Sequence, residues 1–477
     1  MHKYMQNLHK RSRAPNGTQA CGAVRREMRG EGSSRTEGLS MQRNVFYRIL
    51  AEHDGSLSQR MSTPSRKHGR QWVAVVGLAI AACDPSNPAN TVDPTVTDAA
   101  LATDAHGPMN PATIAEGQRI FRFDTFGNET FWTDTLRLHE LIRTSISPMQ
   151  ALTLGLKVDA DALPPEVKAG ILNGSINLTL PATTVVLLKL GAVVGVVGQV
   201  DATNTLTRVG LTCALCHSTV DNSFLTGVGS RLDGWPNRDL NVGAIVAAAG
   251  TFSGRLTPGQ ISVYSSWGPG RYDPRFNIDE LNIPVILPPA FGLRHVKREI
   301  YTGDDVVSYW NAYVAITQMH GHGQFVDARI GVNKNNPPDL VSSKLDPLRA
   351  YQLSLDAPEP LASLDPAAAE RGRKVFKDEG RCASCHLGDA LTDVNANRLH
   401  TAAEVGQNPA YALRSATKLY RTTPLRGLWH PPQLTGPYFH DGSAPTLEAV
   451  VNHYVQLMGL SLTTQQRADL VVYLKTL

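Results

Sequence analysis

Cysteine is scarce in this chain, six residues in 477, and their positions leave no pair over for a disulfide framework. Long apolar runs are missing too. Trp72–Ala82 is only eleven residues long, too short to cross a bilayer. The stretch Thr184–Val200 has about seventeen, interrupted by Lys189 and several glycines, and reads as a buried helix. A strong charge of one sign is also absent. The formal net charge is +4, but residues 1–60 hold 11 Lys/Arg against 5 Asp/Glu, and 61–83 hold 3 against none. The rest carries 32 basic and 37 acidic residues, so no electrostatic footprint for nucleic acid remains.

What is present is one five-residue pattern, twice: Cys213-Ala-Leu-Cys216-His217 and Cys382-Ala-Ser-Cys385-His386. C-x-x-C-H is the attachment signature of c-type haem. Two thiols add across the porphyrin vinyl groups, and the adjacent imidazole ligates the iron. The rival is a single four-thiolate zinc site. The two pairs lie 169 residues apart, whereas zinc ribbons use short loops, and each pair is followed at once by histidine. Two covalently bound haem c groups are therefore expected, attached at Cys213, Cys216, Cys382 and Cys385 and ligated by His217 and His386.

Residues 61–83 read as an export leader. Arg66, Lys67 and Arg70 precede the apolar run, and Ile80-Ala-Ala-Cys83 resembles a bacterial lipobox with Cys83 as the lipidated residue. Haem c is attached outside the cytoplasm, so a periplasmic protein, lipid-anchored to the membrane, is expected. Residues 1–60 lack an apolar period and are expected to be untranslated or absent from the mature protein. Met61 or Met41 is then the start, and Cys21 drops out. Residues 84–112, with repeated Pro, Asn, Thr and Asp, read as a flexible tether.

The remainder is expected to be mainly α: two tandem cytochrome c-like domains, 205–355 and 365–477, behind an N-terminal helical extension, 113–204. A helical period runs through Phe131–Ile142, and Leu348–Leu355 closes the first domain. Ala357-Pro-Glu-Pro360 is a linker. Asp365-Pro366 pairs a cap residue with proline at the first helical position, and Thr463 with Gln466 forms a capping box before Leu470, Val471 and Leu474. The loop order repeats. Pro288-Pro-Ala-Phe-Gly-Leu-Arg294, Tyr301-Thr-Gly-Asp304 and Val306–Tyr313 follow the first motif. Thr423-Pro-Leu-Arg-Gly-Leu-Trp429, Tyr438-Phe-His-Asp-Gly442 and Thr446–Tyr454 follow the second.

Residues 365–477 resemble the bacterial dihaem cytochrome c peroxidase and MauG family. The carrying segments are Ala369-Glu-Arg-Gly-Arg-Lys-Val-Phe376, the second haem motif, Arg421-Thr-Thr-Pro-Leu-Arg-Gly427 and Pro437-Tyr-Phe-His-Asp-Gly-Ser443. The likeness is looser over 205–355, and 113–204 match nothing in the family core. The resemblance implies a peroxidase-like oxidoreductase, its second haem an electron-transfer centre and its first an oxidant-binding centre. The distal ligand of the second haem is expected fourteen residues after His440, methionine in peroxidases and tyrosine in MauG-like proteins; here it is Tyr454, with His453 and Met458 as rivals. No histidine or methionine lies between His217 and His295, so the first haem is open or closed by a distant residue such as His139, His320 or His322. Gln318 falls where the family places its peroxide-handling residue and is the expected catalytic group. Trp267 and Trp235 are candidate relays between the haems. Calcium between the haems is common in the family, though no acidic cluster here demands it. The implied partners are a small redox protein (cytochrome c or cupredoxin) as donor and peroxide or dioxygen as oxidant. MauG-like or dihaem oxygenase-type oxidation of an organic or protein substrate, and plain electron transfer without catalysis, remain the alternatives.

Overall fold

The computed structural model describes residues 110–360, 363–428 and 436–477. Residues 1–60, the leader 61–83 with Cys83, most of the tether 84–112 and the loop end at Trp429 lie outside the described residues. The described chain is mainly helical, and its strands form five short two-stranded ribbons. None of the described helices is long and apolar enough to cross a membrane.

Two crossed helix pairs organise the molecule. Pro366–Lys377 opens the second domain; Asp365 caps it by accepting a hydrogen bond from the Ala367 amide, and proline occupies its first turn. It packs against Thr464–Leu474, whose Thr463/Gln466 capping box is formed in both directions. Val375, Phe376, Leu470, Val471 and Leu474 bury their side chains between them. The crossing is close because Gly372 has no side chain: a Cβ there would lie 2.0 Å from the Asp469 carbonyl oxygen.

The first domain repeats the device with residues from outside 205–355. Pro111–Phe123 packs against Leu345–Ser354, and a Cβ on Gly117 would lie 1.9 Å from the Pro347 carbonyl oxygen. Phe121 meets Tyr351 edge-on at 5.5 Å, as Phe376 meets Tyr473 at 5.2 Å. The helical extension is thus built into the first domain: its opening helix is that domain's first helix, and the rest of 113–204 is inserted between this helix and the first C-x-x-C-H motif. A second equivalence joins the loops. The Gly292 amide donates to the Leu355 carbonyl at 2.7 Å, and the Gly427 amide to the Leu477 carbonyl at 2.8 Å. Each glycine loop is tied to the chain one to three residues beyond its domain's last helix.

Two local expectations fail inside the insertion. Phe131–Ile142 is not one helix: a π turn, Thr130–Thr135, is separated from Leu138–Ser145 by Arg137, whose backbone is left-handed (φ 53°). Thr184–Val200 is half helix and half strand. Pro181–Lys189 stops before Gly191, and the valine-rich end forms Val196–Val200, which pairs antiparallel with Leu206–Leu211 (Val196 opposite Leu211). The branched valines favour the pleated ribbon once glycine has stopped the helix.

Candidate haem sites

Each motif forms a single short turn that brings its two cysteines and histidine to one side: Ala214–His217 after Cys213, and Cys382–Ser384 before Cys385 and His386. All four cysteines are free thiols. Burial pushes Cys213 and Cys216 up to about 12 and Cys382 to about 11, so they remain protonated thiols at neutral pH. His386 donates from Nδ1 to the Leu391 carbonyl at 2.9 Å, which settles its tautomer and leaves the Nε2 lone pair available to a metal. Burial pushes the His217 pKa down to about 4 against the pull of the Pro288 carbonyl, so this imidazole is also neutral. That carbonyl faces the ring without a well-formed hydrogen bond to Nδ1.

His217, Cys213 and Cys216 line a largely apolar cavity of about 280 Å³. Gln318, His320, Tyr272 and Trp267 line it as well, and Arg421 and Tyr411 from the second domain complete the wall. A haem brings an apolar ring and two carboxylates. The cavity meets the first with apolar side chains and faces the second with Arg421, whose Nη1 pairs with Glu299 Oε2 at 3.2 Å and whose buried Nε has no partner. The residues at both motifs therefore fit covalently bound haem.

Gln318 is buried and fully engaged. Its Oε1 accepts from the Tyr272 hydroxyl at 2.7 Å, and its Nε2 donates to Asn277 Oδ1 at 3.1 Å and Thr317 Oγ1 at 2.9 Å. It acts on the cavity by fixing the Tyr272 phenol, whose pKa burial raises well above the ordinary value. Of the three distant histidines, His320 lines the cavity, stacked on Phe131 at 3.6 Å, and burial pushes its pKa down to about 4. His322 is turned away, its Nδ1 donating to the Pro337 carbonyl. His139 does not line the cavity and has a buried, unpartnered Nδ1.

The cytochrome c family matches residues 369–477. The methylamine utilization protein MauG of Methylorubrum extorquens is 31% identical over 127 residues, 23% of this chain and 35% of that protein. The chain therefore carries a cytochrome c domain and is similar to MauG over part of its length. Hydrazine synthase subunit gamma of Kuenenia stuttgartiensis is 30% identical over 149 residues, 23% of this chain and 41% of the relative. The chain thus spans roughly two fifths or less of these relatives' length. Among solved structures, a MauG-like protein associated with microbial copper homeostasis aligns with 41% of this chain and 76% of its own at 19% identity (TM-score 0.30). The cytochrome c match spans the second motif and supports haem c there and a haem-dependent redox function.

Tyr454 lies on Leu447–Leu457, turned toward the second motif. Burial pushes its phenol up to about 12, and the Cys385 and Cys382 thiols are close enough to add to the shift. His453 is spent on the Val405 carbonyl at 3.0 Å, and Met458 caps the helix end. The domain repeat relates Tyr454 to Gln318. Tyr454 follows Asp441 by thirteen residues and Gln318 follows Asp304 by fourteen, and the π turn Val314–Gln318 absorbs the extra one. Both residues therefore sit on the helix after the aromatic-Gly loop, facing their own domain's motif. Trp267 lines the cavity and donates to Asn282 Oδ1 at 2.9 Å, while Trp235 packs on Phe291, which touches the Gly427 loop. Sequence reasoning missed Tyr272 and Arg421 as pocket residues. Arg421 was readable only as the first residue of a family loop, and Tyr272 carried no signal.

Proposed function

We propose that the protein is an exported dihaem c-type cytochrome acting as a peroxidase-like oxidoreductase. The first haem, at Cys213, Cys216 and His217, meets the oxidant, and the second, at Cys382, Cys385 and His386, passes electrons to it. The observation that carries this reading is the contrast between the two imidazoles. His217 opens on a largely apolar cavity shared with Tyr272, Gln318 and His320, whereas His386 has Tyr454 on its side of the second domain. Haem would supply redox chemistry that side chains lack. The chain's own part is to hold the iron with neutral imidazoles, to keep water from the pocket with apolar walls, and to offer Arg421 to the propionates. Gln318 keeps the Tyr272 hydroxyl in one direction, a preorganised dipole beside the reacting centre.

Peroxide or dioxygen is the oxidant in this reading, a small cytochrome c or cupredoxin the donor, and the periplasm the compartment, with Cys83 the membrane anchor. Calcium between the haems is compatible with it and not required. Tyr454 favours a second reading, MauG-like oxidation of an organic or protein substrate, because tyrosine stands where peroxidases carry methionine. The test is EPR of the oxidised protein before and after one equivalent of hydrogen peroxide, with His217→Gly and His386→Gly variants to assign the signals. Loss on peroxide addition of a high-spin signal that belongs to the His217 haem supports an oxidant-binding enzyme. Two low-spin signals unmoved by peroxide would make the chain an electron carrier.

A further inference from the structure

One aromatic pair in the wall of the first cavity has no part in the reading above. Trp310 lines the cavity with His217, is buried, and has an indole Nε1 without a hydrogen-bond partner. Its ring meets Tyr309 edge-on, with centroids 5.3 Å apart. Consecutive residues on Val307–Tyr313 project about 100° apart, so one ring faces the cavity while its neighbour reaches the partly exposed side. There the Tyr309 hydroxyl donates to Asp327 Oδ2 at 2.6 Å. Arg329, half exposed, holds Asp327 through two hydrogen bonds to the same oxygen and two to Oδ1, one of the latter from its backbone amide, and its guanidinium lies 5.8 Å from the Tyr309 ring centre.

A phenol loses an electron readily when its proton can leave in the same step, and a carboxylate already bonded to the hydroxyl provides the acceptor. Asp327 is suited to it. Burial alone would raise its pKa, but the hydrogen bonds from Arg329 and Tyr309 outweigh burial and hold it below the ordinary value, so it is ionised at neutral pH. Tyr309 is protonated at rest, its pKa raised by burial and by Asp327.

We propose that Trp310 and Tyr309 are a route for electrons into the first cavity, and that Tyr309 with Asp327 is a surface oxidation site for phenolic substrates too large to enter it. The proposal rests on the peroxide reading above, with hydrogen peroxide as the oxidant. An electron passes from Trp310 into the haem pocket. Tyr309 replaces it and releases its hydroxyl proton to Asp327 Oδ2, leaving a neutral phenoxyl radical. An external phenol returns the electron, Asp327 returns the proton, and the phenol's own proton goes to solvent. Two such cycles supply the two electrons and two protons that reduce one peroxide to two waters.

The probe is tyramine coupled to a dextran that cannot enter a cavity of about 280 Å³, oxidised by the full-length holoprotein and peroxide and read as dityrosine fluorescence. Freeze-quenched EPR of protein grown with ring-deuterated tyrosine identifies the radical. The wild type is expected to oxidise the polymer and to give a radical signal narrowed by the label. Tyr309→Phe keeps the ring and is expected to show the wild-type rate of peroxide-induced haem spectral change, background polymer oxidation and no such signal. Asp327→Asn is expected to slow polymer oxidation about 10²-fold. Polymer oxidation by Tyr309→Phe at the wild-type rate would overturn the surface site alone. A wild-type haem spectrum that peroxide leaves unchanged would remove the peroxide reading and this inference with it.

Discussion

Gly372→Ala tests the helix crossing on which the second haem site is built. The added methyl would lie 2.0 Å from the Asp469 carbonyl oxygen, 2.5 Å from its carbon and 2.8 Å from Tyr473 Cβ, where ordinary contact begins at 3.4 Å. The obstacle is backbone within a helix, so no side-chain rotation relieves it. Thr464–Leu474 must move by more than 1 Å, and the expected cost is about 3 kcal/mol, at the upper end for overpacking. The displacement also reaches the site, because Phe376 lies one turn beyond Gly372 and its ring is 6.1 Å from His386. The second haem's spectrum should shift together with the urea midpoint. Gly259→Ala is the control. Gly259 is exposed, its Cβ would meet only Thr257 Oγ1 at 4.0 Å, and alanine there should stabilise by about 0.5 kcal/mol. Urea unfolding of the holoprotein, followed at the Soret band and by far-UV circular dichroism, measures both. Equal or greater stability in Gly372→Ala would refute the close crossing. Gly117→Ala repeats the experiment for the first haem, against Pro347.

Tyr454→Phe should change the visible and EPR spectra of the His386 haem and leave the His217 haem alone; unchanged spectra would remove Tyr454 as its distal ligand. Gln318→Leu frees the Tyr272 hydroxyl, and the rate of peroxide-induced spectral change in stopped flow should fall about 10²-fold, whereas an unaltered rate would leave Gln318 a packing residue. Burial lowers the His320 pKa from 6.5 to about 4, so the unfolded chain takes up this proton first as pH falls. Its contribution to stability is complete above pH 6.5 and is lost between pH 6.5 and 4, by up to about 3 kcal/mol. Denaturant unfolding at pH 7.5 and 4.5 should show a smaller difference in His320→Asn, a residue that accepts the left-handed backbone there (φ 62°); an identical difference would refute the assignment.

Both candidate haem motifs were legible because C-x-x-C-H is a local code. Two thiols and an imidazole within five residues need only one turn of chain to come together, and both motifs could be read without any knowledge of the fold. The same holds for Asp365, Thr463 and Gln466, which satisfy helix ends through bonds to residues two or three positions away. The repeat of the first domain's opening helix was also written in the chain: Gly117-Gln-Arg-Ile-Phe121 parallels Gly372-Arg-Lys-Val-Phe376. It was missed because the inserted residues separate this helix from its motif by far more than in the second domain. Tertiary structure alone decided which remote groups face the first motif. Nothing local distinguishes His320 from His322, yet one stacks on Phe131 in the cavity wall and the other bonds to Pro337. The insertion likewise holds a break at Arg137 and a change from helix to strand after Gly191, where the valine-rich end pairs with Leu206–Leu211. Covalent attachment follows from neighbours in sequence, whereas the pocket around it is a contact between residues far apart, and only folding brings those together.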